Sequence, residues 1–495
     1  MSKKFSKTLD PDDWEGFRVQ GHRMLDGMLD YLESIRARPV WQPIPGEVRE
    51  SMREPLPSQG EDLDGVYRRF LESVLPYTAA NAHPGFFGWV QGGGTPVGML
   101  AEMLAAGLNA NVGGRDQMPV EVERQVVRWM AELFDFPDSA GGLFVTGTSM
   151  ANFIALLVAR TRALGDAVRE HGLAASGGAQ LVAYTSEAAH GCVAQAMELA
   201  GFGRAALRMV ALNERFEMDA GALELAIQAD LAAGLRPFFV AATAGTVDVG
   251  AVDDLIAIGA IARRHGAWFH VDGAYGALAR LSAELAPRLA GIEQADSIAF
   301  DFHKWGQVPY DAGFVLVRDG AAQQAAFAAP AAYLRRDARG LSAGSPWPCD
   351  LGPDLSRGFR ALKAWFTIKV YGSERLGEAI AESCAIARYL ADQVALRPAL
   401  ELLAPVSLNI VCFRYRGESG AADDQLNAAL VADLQESGVA APSLTTVRGR
   451  LAIRAAVVNH RTQRRDIDAM LDALQVMAAA RLPAGVPAPS GPAAA

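Results

Sequence analysis

The sequence has little cysteine, no excess of basic charge and no long apolar run. Its four cysteines stand far apart without a CxxC pair, which argues against a disulfide framework or a zinc site and favours a reducing, cytoplasmic setting. The net charge of −10 argues against nucleic acid and against an anionic membrane surface as partners. No apolar run approaches the ~20 residues of a membrane span, and no apolar stretch follows the N-terminal lysines as in a secretory signal. We therefore expect a folded, soluble protein without a metal site.

Two amphipathic segments open the chain. Apolar residues recur at helical spacing between Phe17 and Leu32, and again between Leu63 and Val74, on either side of a proline-rich link. Two apolar stripes with little between them cannot form a core alone. We expect these helices to pack on another part of the molecule or on a second subunit.

From about Leu143 short apolar runs alternate with helix-like segments. The runs are GLFVT, LVAYT, FFVAAT, WFHVD, SIAFD and FVLV. This alternation predicts an α/β fold, in which helices cover both faces of a mostly parallel sheet. A smaller α+β region follows, and the final segment is too rich in proline, alanine and glycine to pack. The predicted regions are an N-terminal helical segment (1–88), a large domain (89–385), a small C-terminal α+β domain (386–482) and a disordered tail (483–495).

Small and hydroxylated residues follow the first of these runs. In such sheets, ligand-binding groups gather where the strands end, and Gly147, Thr148 and Ser149 stand between an apolar run and an amphipathic helix. Free backbone N–H groups and hydroxyls at a helix start suit an anion, above all a phosphate. An ordinary helix cap explains the same residues, so this turn alone decides nothing.

An acid and a lysine follow two later runs. Asp272 closes WFHVD, and His303 and Lys304 come directly after SIAFD. By itself, Asp272 suits a metal ligand, a catalytic base, the partner of a buried cation or a helix cap. A lysine at the end of an apolar strand is costly unless it is paired or neutralised. A Schiff base to an aldehyde gives such a lysine a purpose.

Together these residues match the needs of pyridoxal 5'-phosphate (PLP). PLP requires a lysine for its aldehyde, an acid for its pyridine nitrogen and an anion-binding turn for its phosphate. Asp272 opposite the ring nitrogen would keep that nitrogen protonated, because a nearby opposite charge favours the charged form. Three such groups at one sheet edge therefore indicate a PLP enzyme.

The same residues carry a resemblance to a known family. The segments HVDGAYG at 270–276 and DSIAFDFHKW at 296–305 resemble the PLP-dependent group II amino-acid decarboxylases, which include aromatic-L-amino-acid, glutamate and tyrosine decarboxylases. Further similar segments are HPGFFGW, YTSEAAHGCV and ATAGTVDVGAVDDL, and the resemblance covers nearly the whole chain. It implies a fold type I PLP-dependent transferase-like architecture, with PLP in the large domain. It also implies a homodimer with the active site at the subunit interface, in which the 1–88 segment clasps the partner.

The resemblance further implies roles for single residues. Lys304 would carry the Schiff base, Asp272 would pair with the ring nitrogen, and His190 would stack on the ring. Tyr333, in a segment whose composition suits a mobile lid, would return a proton to the alpha carbon after carbon dioxide leaves. Because aldehyde-forming relatives typically alter this tyrosine or the stacking histidine, the two together favour the amine product. The other implied cofactor contacts are Ala274 on the opposite ring face, Gly147, Thr148, Ser149 and His303 at the phosphate, and Thr246 near the ring hydroxyl or the substrate.

The sequence indicates the substrate less clearly than the cofactor. Phe87 and Trp89 offer an apolar shelf, and the family builds part of its pocket from the region of the neighbouring subunit that here includes Asn111 and Arg115. Arg115 suits an acidic side chain, but a simple pair with Asp116 explains it equally well. We expect decarboxylation of an L-amino acid, with an aromatic side chain favoured, to the amine and CO2. The alternatives are an acidic or other polar amino acid, or a decarboxylation-dependent aldehyde synthase.

Two features depart from a simple match. Asp301 stands where aromatic decarboxylases tend to have asparagine, and an acid near a phosphate is repelled unless it bonds backbone N–H groups or turns away. Arg357 and Arg360 lie where some relatives contact the substrate carboxylate, although helix-surface salt bridges explain them as well. Transamination, or a non-catalytic protein that has kept the fold, are the competing interpretations. The presence of Lys304 and Asp272 disfavours the second of these.

Overall fold

The computed structural model describes residues 8–328, 336–417 and 420–481. Tyr333 and the tail 483–495 lie outside the described residues. Within the three ranges, no helix combines the length and the apolar character that crossing a bilayer requires. The α-helices are α1 (Trp14–Glu33), α2 (Gly46–Ser51), α3 (Leu63–Ser73), α4 (Pro96–Leu108), α5 (Met118–Leu133), α6 (Thr148–Leu164), α7 (Ala167–Ala175), α8 (Cys192–Leu199), α9 (Ala220–Ala232), α10 (Leu255–Arg264), α11 (Gly320–Phe327), α12 (Ala361–Ala395), α13 (Gly420–Glu436) and α14 (Arg464–Arg481).

Aspartates set the start of the N-terminal helices. Asp13 accepts hydrogen bonds from the backbone N–H groups of Glu15 and Gly16 before α1, and Asp62 caps α3 in the same way. Helix α1 buries none of its side chains completely. Large apolar side chains on α1, α3 and α4 are exposed in the single chain: Trp14, Phe17, Val19, Leu63, Val66, Met103, Leu104 and Leu108.

Seven strands form the central sheet of the described chain. They are β1 (Gly141–Val145), β2 (Leu181–Ser186), β3 (Leu207–Val210), β4 (Arg236–Thr243), β5 (Trp268–Asp272), β6 (Ser297–Asp301) and β7 (Gly313–Val317), in the order β1-β7-β6-β5-β4-β2-β3. Strand β7 pairs antiparallel with β1 and β6, and the other neighbours pair in parallel. The apolar runs of the sequence lie in these strands, so the prediction of a mostly parallel α/β sheet is confirmed.

Alternate residues of the strands pack in two separate apolar layers. One layer lies against α6 and α8, and the other lies against helices that include α5 and α10. Because successive side chains point to opposite faces of a strand, His270 and Asp272 share the α6 face with Trp268. Ser297 and Asp301 share that face on the neighbouring strand β6. The α6 side of the sheet therefore carries a group of polar side chains inside an otherwise apolar layer.

A second, antiparallel sheet lies in the C-terminal part. Its strands are β8 (Leu400–Leu402), β9 (Ile410–Tyr415), β10 (Ser443–Val447) and β11 (Arg450–Ala456), in the order β10-β11-β9-β8. Its core is shared with α13, α14 and the second half of α12. Helix α12 has one non-helical residue, Gly372 with φ 75°, and then continues to Ala395. The long helix therefore connects the two sheets.

Candidate active site

The turn before α6 presents polar groups at the sheet edge. Gly147 precedes the helix, and the hydroxyl of Thr148 is buried and has no hydrogen-bond partner among the described residues. Ser149 is exposed. A β-carbon at Gly313 would collide with the backbone of Gly147, so the glycine lets β7 lie close against the turn. Because buried polar atoms nearly always have a partner, the free Thr148 hydroxyl fits a site for a ligand oxygen such as that of a phosphate.

Lys304 lies just beyond β6 and contacts a buried carboxylate. Its Nζ is 2.9 Å from Oδ2 of Asp301, and its side chain is 20% exposed. Oδ1 of Asp301 accepts a hydrogen bond of 2.7 Å from the backbone N–H of Thr148. Asp301 is therefore held between the lysine and the start of α6. Asp301 thus meets the condition stated for an acid near a phosphate, because it bonds a backbone N–H group.

The imidazole of His303 is oriented by the backbone. Its Nδ1 accepts a hydrogen bond of 3.0 Å from the N–H of Ala312, so its proton sits on Nε2, which lies 3.5 Å from Asp301 Oδ2. Burial lowers the pKa of His303, which favours the neutral ring. The Tyr310 ring packs against it with centroids 4.2 Å apart. A neutral imidazole fixed in this way can donate one hydrogen bond toward the start of α6.

Asp272 is a buried carboxylate at the end of β5. Only 3% of the residue is exposed, and its oxygens accept hydrogen bonds from Asn152 Nδ2 at 2.8 Å and from the Ala274 N–H at 3.1 Å. Burial raises the pKa of Asp272, while the bond from Asn152 and the charge of Lys304 oppose the rise. The arrangement can therefore pair with a further cation, whose charge would favour the ionised carboxylate.

Two residues around Asp272 were missed by the sequence analysis. Asn152 lies on α6 one turn after Thr148, and its carbonyl oxygen is 2.8 Å from Nε2 of His270. Both carried a signal in retrospect. Asn152 follows Thr148 by four positions and so shares its helix face, and His270 precedes Asp272 by two positions and so shares its strand face.

His190 and Thr246 make local contacts. His190 is exposed, and its Nδ1 accepts a hydrogen bond of 3.2 Å from the N–H of Cys192, at the first residue of α8. Thr246 is fully buried, and its hydroxyl accepts a bond of 3.0 Å from the N–H of Ala251. Burial raises the pKa of the Cys192 thiol to about 12, which leaves it protonated and unsuited to act as a nucleophile. The ring contacts predicted for His190 and Thr246 stay predictions.

The residues predicted to contact substrate differ in their exposure and in their contacts. Phe87 is fully buried and packs in the core of the C-terminal sheet, whereas Trp89 is 59% exposed. Asn111 uses its side-chain oxygen to accept hydrogen bonds from the N–H groups of Gly113 and Arg357. The guanidinium of Arg115 lies over the Trp347 ring, 4.6 Å from its centroid. Of the predicted apolar shelf, therefore, only Trp89 presents its ring to solvent.

Arg357 is part of a buried ion pair. Its guanidinium contacts both oxygens of Glu123, at 2.5 and 3.1 Å, and also bonds the carbonyl oxygens of Val112 and Phe144. Both side chains are at most 3% exposed. Arg360 instead pairs with Asp311 at 2.7 Å. Both terminal nitrogens of Arg357 are thus bonded within the protein. Arg357 is therefore neither part of a helix-surface salt bridge nor an arginine free to bind a carboxylate.

Replacing Glu123 with alanine is expected to destabilise the fold by about 3–5 kcal/mol, because it leaves the Arg357 charge buried without its partner. The measurement is the urea dependence of unfolding of the PLP-free protein. The matched control is Glu50→Ala, which removes an exposed pair with Arg53 and is expected to change stability by less than about 1 kcal/mol. Equal urea midpoints for the two variants would contradict the structural role of the buried pair.

The residues at this edge fit a phosphorylated cofactor that carries an aldehyde and a basic ring nitrogen. The free Thr148 hydroxyl and the start of α6 would hold the phosphate, Lys304 the aldehyde and Asp272 the ring nitrogen. When bound, PLP supplies an electron sink for the bonds at the alpha carbon of an amino acid. Fold and site together define the class of fold type I PLP enzymes.

Comparisons with known proteins narrow this class. A family model described as the pyridoxal-dependent decarboxylase conserved domain matches residues 45–416. The chain is 32% identical over 456 residues to an aromatic-L-amino-acid decarboxylase of Bacillus atrophaeus, covering 90% of this chain and 92% of that protein. It is 30% identical over 471 residues to a phenylacetaldehyde synthase of Arabidopsis thaliana, covering 92% and 94%. The crystal structure of Oryza sativa TDC with PLP and tryptamine matches with a TM-score of 0.87 and 27% identity, covering 96% and 100%.

The chain belongs to the pyridoxal-dependent decarboxylase family. It is a PLP-dependent amino-acid decarboxylase, and the predicted family, cofactor and reaction class are confirmed. The roles of the single site residues stay predictions, and the one for Tyr333 concerns a residue outside the described ranges.

Proposed function

We propose that this decarboxylase acts on an aromatic L-amino acid and releases the amine and CO2. The observation that carries the proposal is the meeting of Lys304, Asp301 and the Thr148 turn at one sheet edge, beside the buried Asp272. The exposed ring of Trp89 supports an aromatic side chain, and so do the names of the bacterial and rice relatives. Arg115, the group best suited to an acidic substrate, instead lies over Trp347.

In this proposal each residue of the site has a separate role. Gly147, Thr148, Ser149 and His303 hold the phosphate, and Lys304 binds the aldehyde. Asp272 keeps a proton on the ring nitrogen, because an ionised carboxylate favours the neighbouring cation. His190 and Ala274 would contact the two ring faces, and Thr246 would lie near the ring hydroxyl or the substrate. Tyr333 donates a proton to the alpha carbon after CO2 leaves.

A second candidate function is an aldehyde synthase that depends on decarboxylation. The observation in its favour is the similarity to the phenylacetaldehyde synthase. Against it stand Tyr333 and His190, since the sequence keeps both of the residues that aldehyde-forming relatives typically alter. We therefore place the amine product first.

We further propose a cytoplasmic homodimer with active sites at the subunit interface. The exposed apolar side chains of α1, α3 and α4 support it, because large exposed apolar patches commonly mark protein interfaces. In this arrangement the 1–88 segment clasps the partner, and Asn111 and Arg115 line the partner's pocket. All four cysteines lie in the described ranges and are free, which supports a reducing compartment.

Incubation of the PLP-saturated protein with the standard amino acids, DOPA and ornithine tests the proposal. We expect an aromatic amine and an equal amount of CO2, without oxygen uptake, because Tyr333 returns a proton to the carbon that CO2 left. Mass spectrometry measures the amines, and an oxygen electrode measures the uptake. Protein stripped of PLP is the control and is expected to form no amine.

The possible contrary results separate the alternatives. Turnover of acidic or other polar amino acids alone would overturn the aromatic preference. Aldehyde accompanied by peroxide and oxygen uptake would overturn the amine product and favour the aldehyde synthase.

A further inference from the structure

Five buried side chains form a continuous line of hydrogen bonds that ends on Asp272. The indole N–H of Trp268 donates to Ser297 Oγ at 2.7 Å, and Ser297 Oγ lies 2.8 Å from Nδ1 of His270. His270 Nε2 lies 2.8 Å from Oδ1 of Asn152, whose Nδ2 donates to Asp272 Oδ2, also at 2.8 Å. Each of the five residues is at most 4% exposed. We call these five residues the Asp272 relay.

The two ends of the relay fix the direction of every bond in it. An indole N–H can only donate, so the Ser297 oxygen accepts from Trp268, and a carboxylate can only accept, so Asn152 turns its amide N–H to Asp272 and its carbonyl oxygen to Nε2 of His270. The single proton of a neutral His270 ring must then sit on Nε2 and be donated to the Asn152 carbonyl, so the bare Nδ1 accepts the hydrogen of the Ser297 hydroxyl. Burial lowers the pKa of His270 to about 3, so the ring is neutral and carries the single proton that this pattern needs.

All the donors of the relay therefore point toward Asp272. Successive hydrogen bonds of one direction polarise one another in a low-dielectric interior, and donors favour the ionised form of a carboxylate. Burial raises the pKa of Asp272, and the bond from Asn152 is the largest of the effects that oppose this rise. The relay thus counteracts the main cost of holding a charge at this position.

Other groups also face Asp272. The charges of Lys304 and His190 and the N–H of Ala274 favour the ionised carboxylate as well. The Cys192 thiol lies 3.9 Å from Asp272 Oδ2 and accepts the second amide N–H of Asn152 at 3.2 Å. Lys304 and His190 belong to the proposed chemistry itself and are partly or largely exposed, whereas the relay is buried throughout. The relay is therefore the fixed part of this environment.

We propose that Asn152, His270 and Ser297 are positioning residues that keep Asp272 ionised and oriented toward the cofactor's ring nitrogen. The inference rests on the proposed function, in which Asp272 holds that nitrogen protonated. Trp268, at the far end on β5, donates to the Ser297 oxygen. None of the three is assigned a contact with the substrate, and their effect on the reaction passes through Asp272.

Binding of two probes to the PLP-free, full-length protein tests the relay. One probe is PLP, and the other is its carbocyclic analogue, in which C–H replaces the ring nitrogen. Asn152→Leu keeps the side-chain volume but removes the donor. We expect it to weaken PLP binding about tenfold or more, the worth of one hydrogen bond to a charged group, and to leave binding of the analogue unchanged or improved. Ser297→Ala, a smaller change two bonds further away, is expected to shift the ratio of the two affinities in the same direction by less.

A change on the same helix but outside the relay is the matched control. Thr161→Val removes a hydroxyl on α6 that bonds only the Leu157 carbonyl oxygen, and it is expected to leave both affinities unchanged. Parallel weakening of both probes in Asn152→Leu and Ser297→Ala would show a merely structural role and overturn the relay. If the unaltered protein fails to bind PLP, the proposed function fails instead, so the two failures are distinguishable.

Discussion

Lys304→Ala is expected to lower the rate of decarboxylation by about a thousandfold or more, the loss that follows removal of a group central to the chemistry. Its amine contacts Asp301, which also accepts a hydrogen bond from the N–H of Thr148 at the start of α6. Without this amine the cofactor would have no covalent attachment to the protein. The substrate amine could then no longer take the place of the lysine amine on the cofactor aldehyde. The measurement is the initial rate of CO2 release at saturating PLP.

The control for this prediction is another lysine. Lys369→Ala removes an exposed ammonium on α12 that lies over the Trp129 and Trp365 rings. We expect this variant to keep the parent rate. Undiminished turnover in Lys304→Ala would refute the assignment of the lysine, whatever Lys369→Ala does.

Asp272→Asn is expected to lower the rate about 100- to 1,000-fold, the usual cost of removing one preorganised electrostatic group from an active site. The asparagine fills the same space but cannot stabilise a protonated ring nitrogen, so the ring becomes a weaker electron sink. Asn152 donates a hydrogen bond to the carboxylate of Asp272. In the variant, an amide N–H group can therefore face another N–H group instead of an acceptor. The measurement is kcat with the best substrate found, together with the absorption spectrum of the bound cofactor.

A second aspartate on the same sheet gives the matched control. Asp296 stands directly before β6, at the opposite edge from Asp272, and accepts a hydrogen bond from the Phe269 N–H at 2.8 Å. Asp296→Asn is expected to change kcat little. If both variants lose activity equally, the loss reflects a disturbed sheet. Such a result would contradict the role of Asp272 as the partner of the ring nitrogen.

The sheet was predictable, and candidate site residues could be chosen on it, because the signals are local. Apolar runs of strand length mark β5 and β6, and the rule that ligand groups gather at strand ends selected Asp272 and Lys304. Neither step needed to know how the helices pack. The sequence therefore indicated the sheet edge at which we propose the chemistry.

The pairs of residues that meet in the site were not predictable from such signals, even where a residue shares a helix or strand face with a site residue. Asn152 reaches Asp272 only because α6 crosses β5, and Glu123 meets Arg357 across 234 positions. Phe87 is fully buried, which the sequence could not show, because an apolar side chain in a loop carries no signal of the side to which the chain turns. Asp301 looked unfavourable in the sequence because its partners, Lys304 and the Thr148 N–H, meet only after folding.

The attachment of PLP to one particular amine is tested most directly by borohydride reduction. The PLP-loaded protein is treated with borohydride, digested and mapped by mass spectrometry, so that the reduced cofactor marks the amine to which it was bound. We expect the added mass on the peptide that contains Lys304, and none on the peptides that contain Lys363 or Lys369. A stable adduct on a different lysine, or no adduct in protein that is active with PLP, would contradict the account.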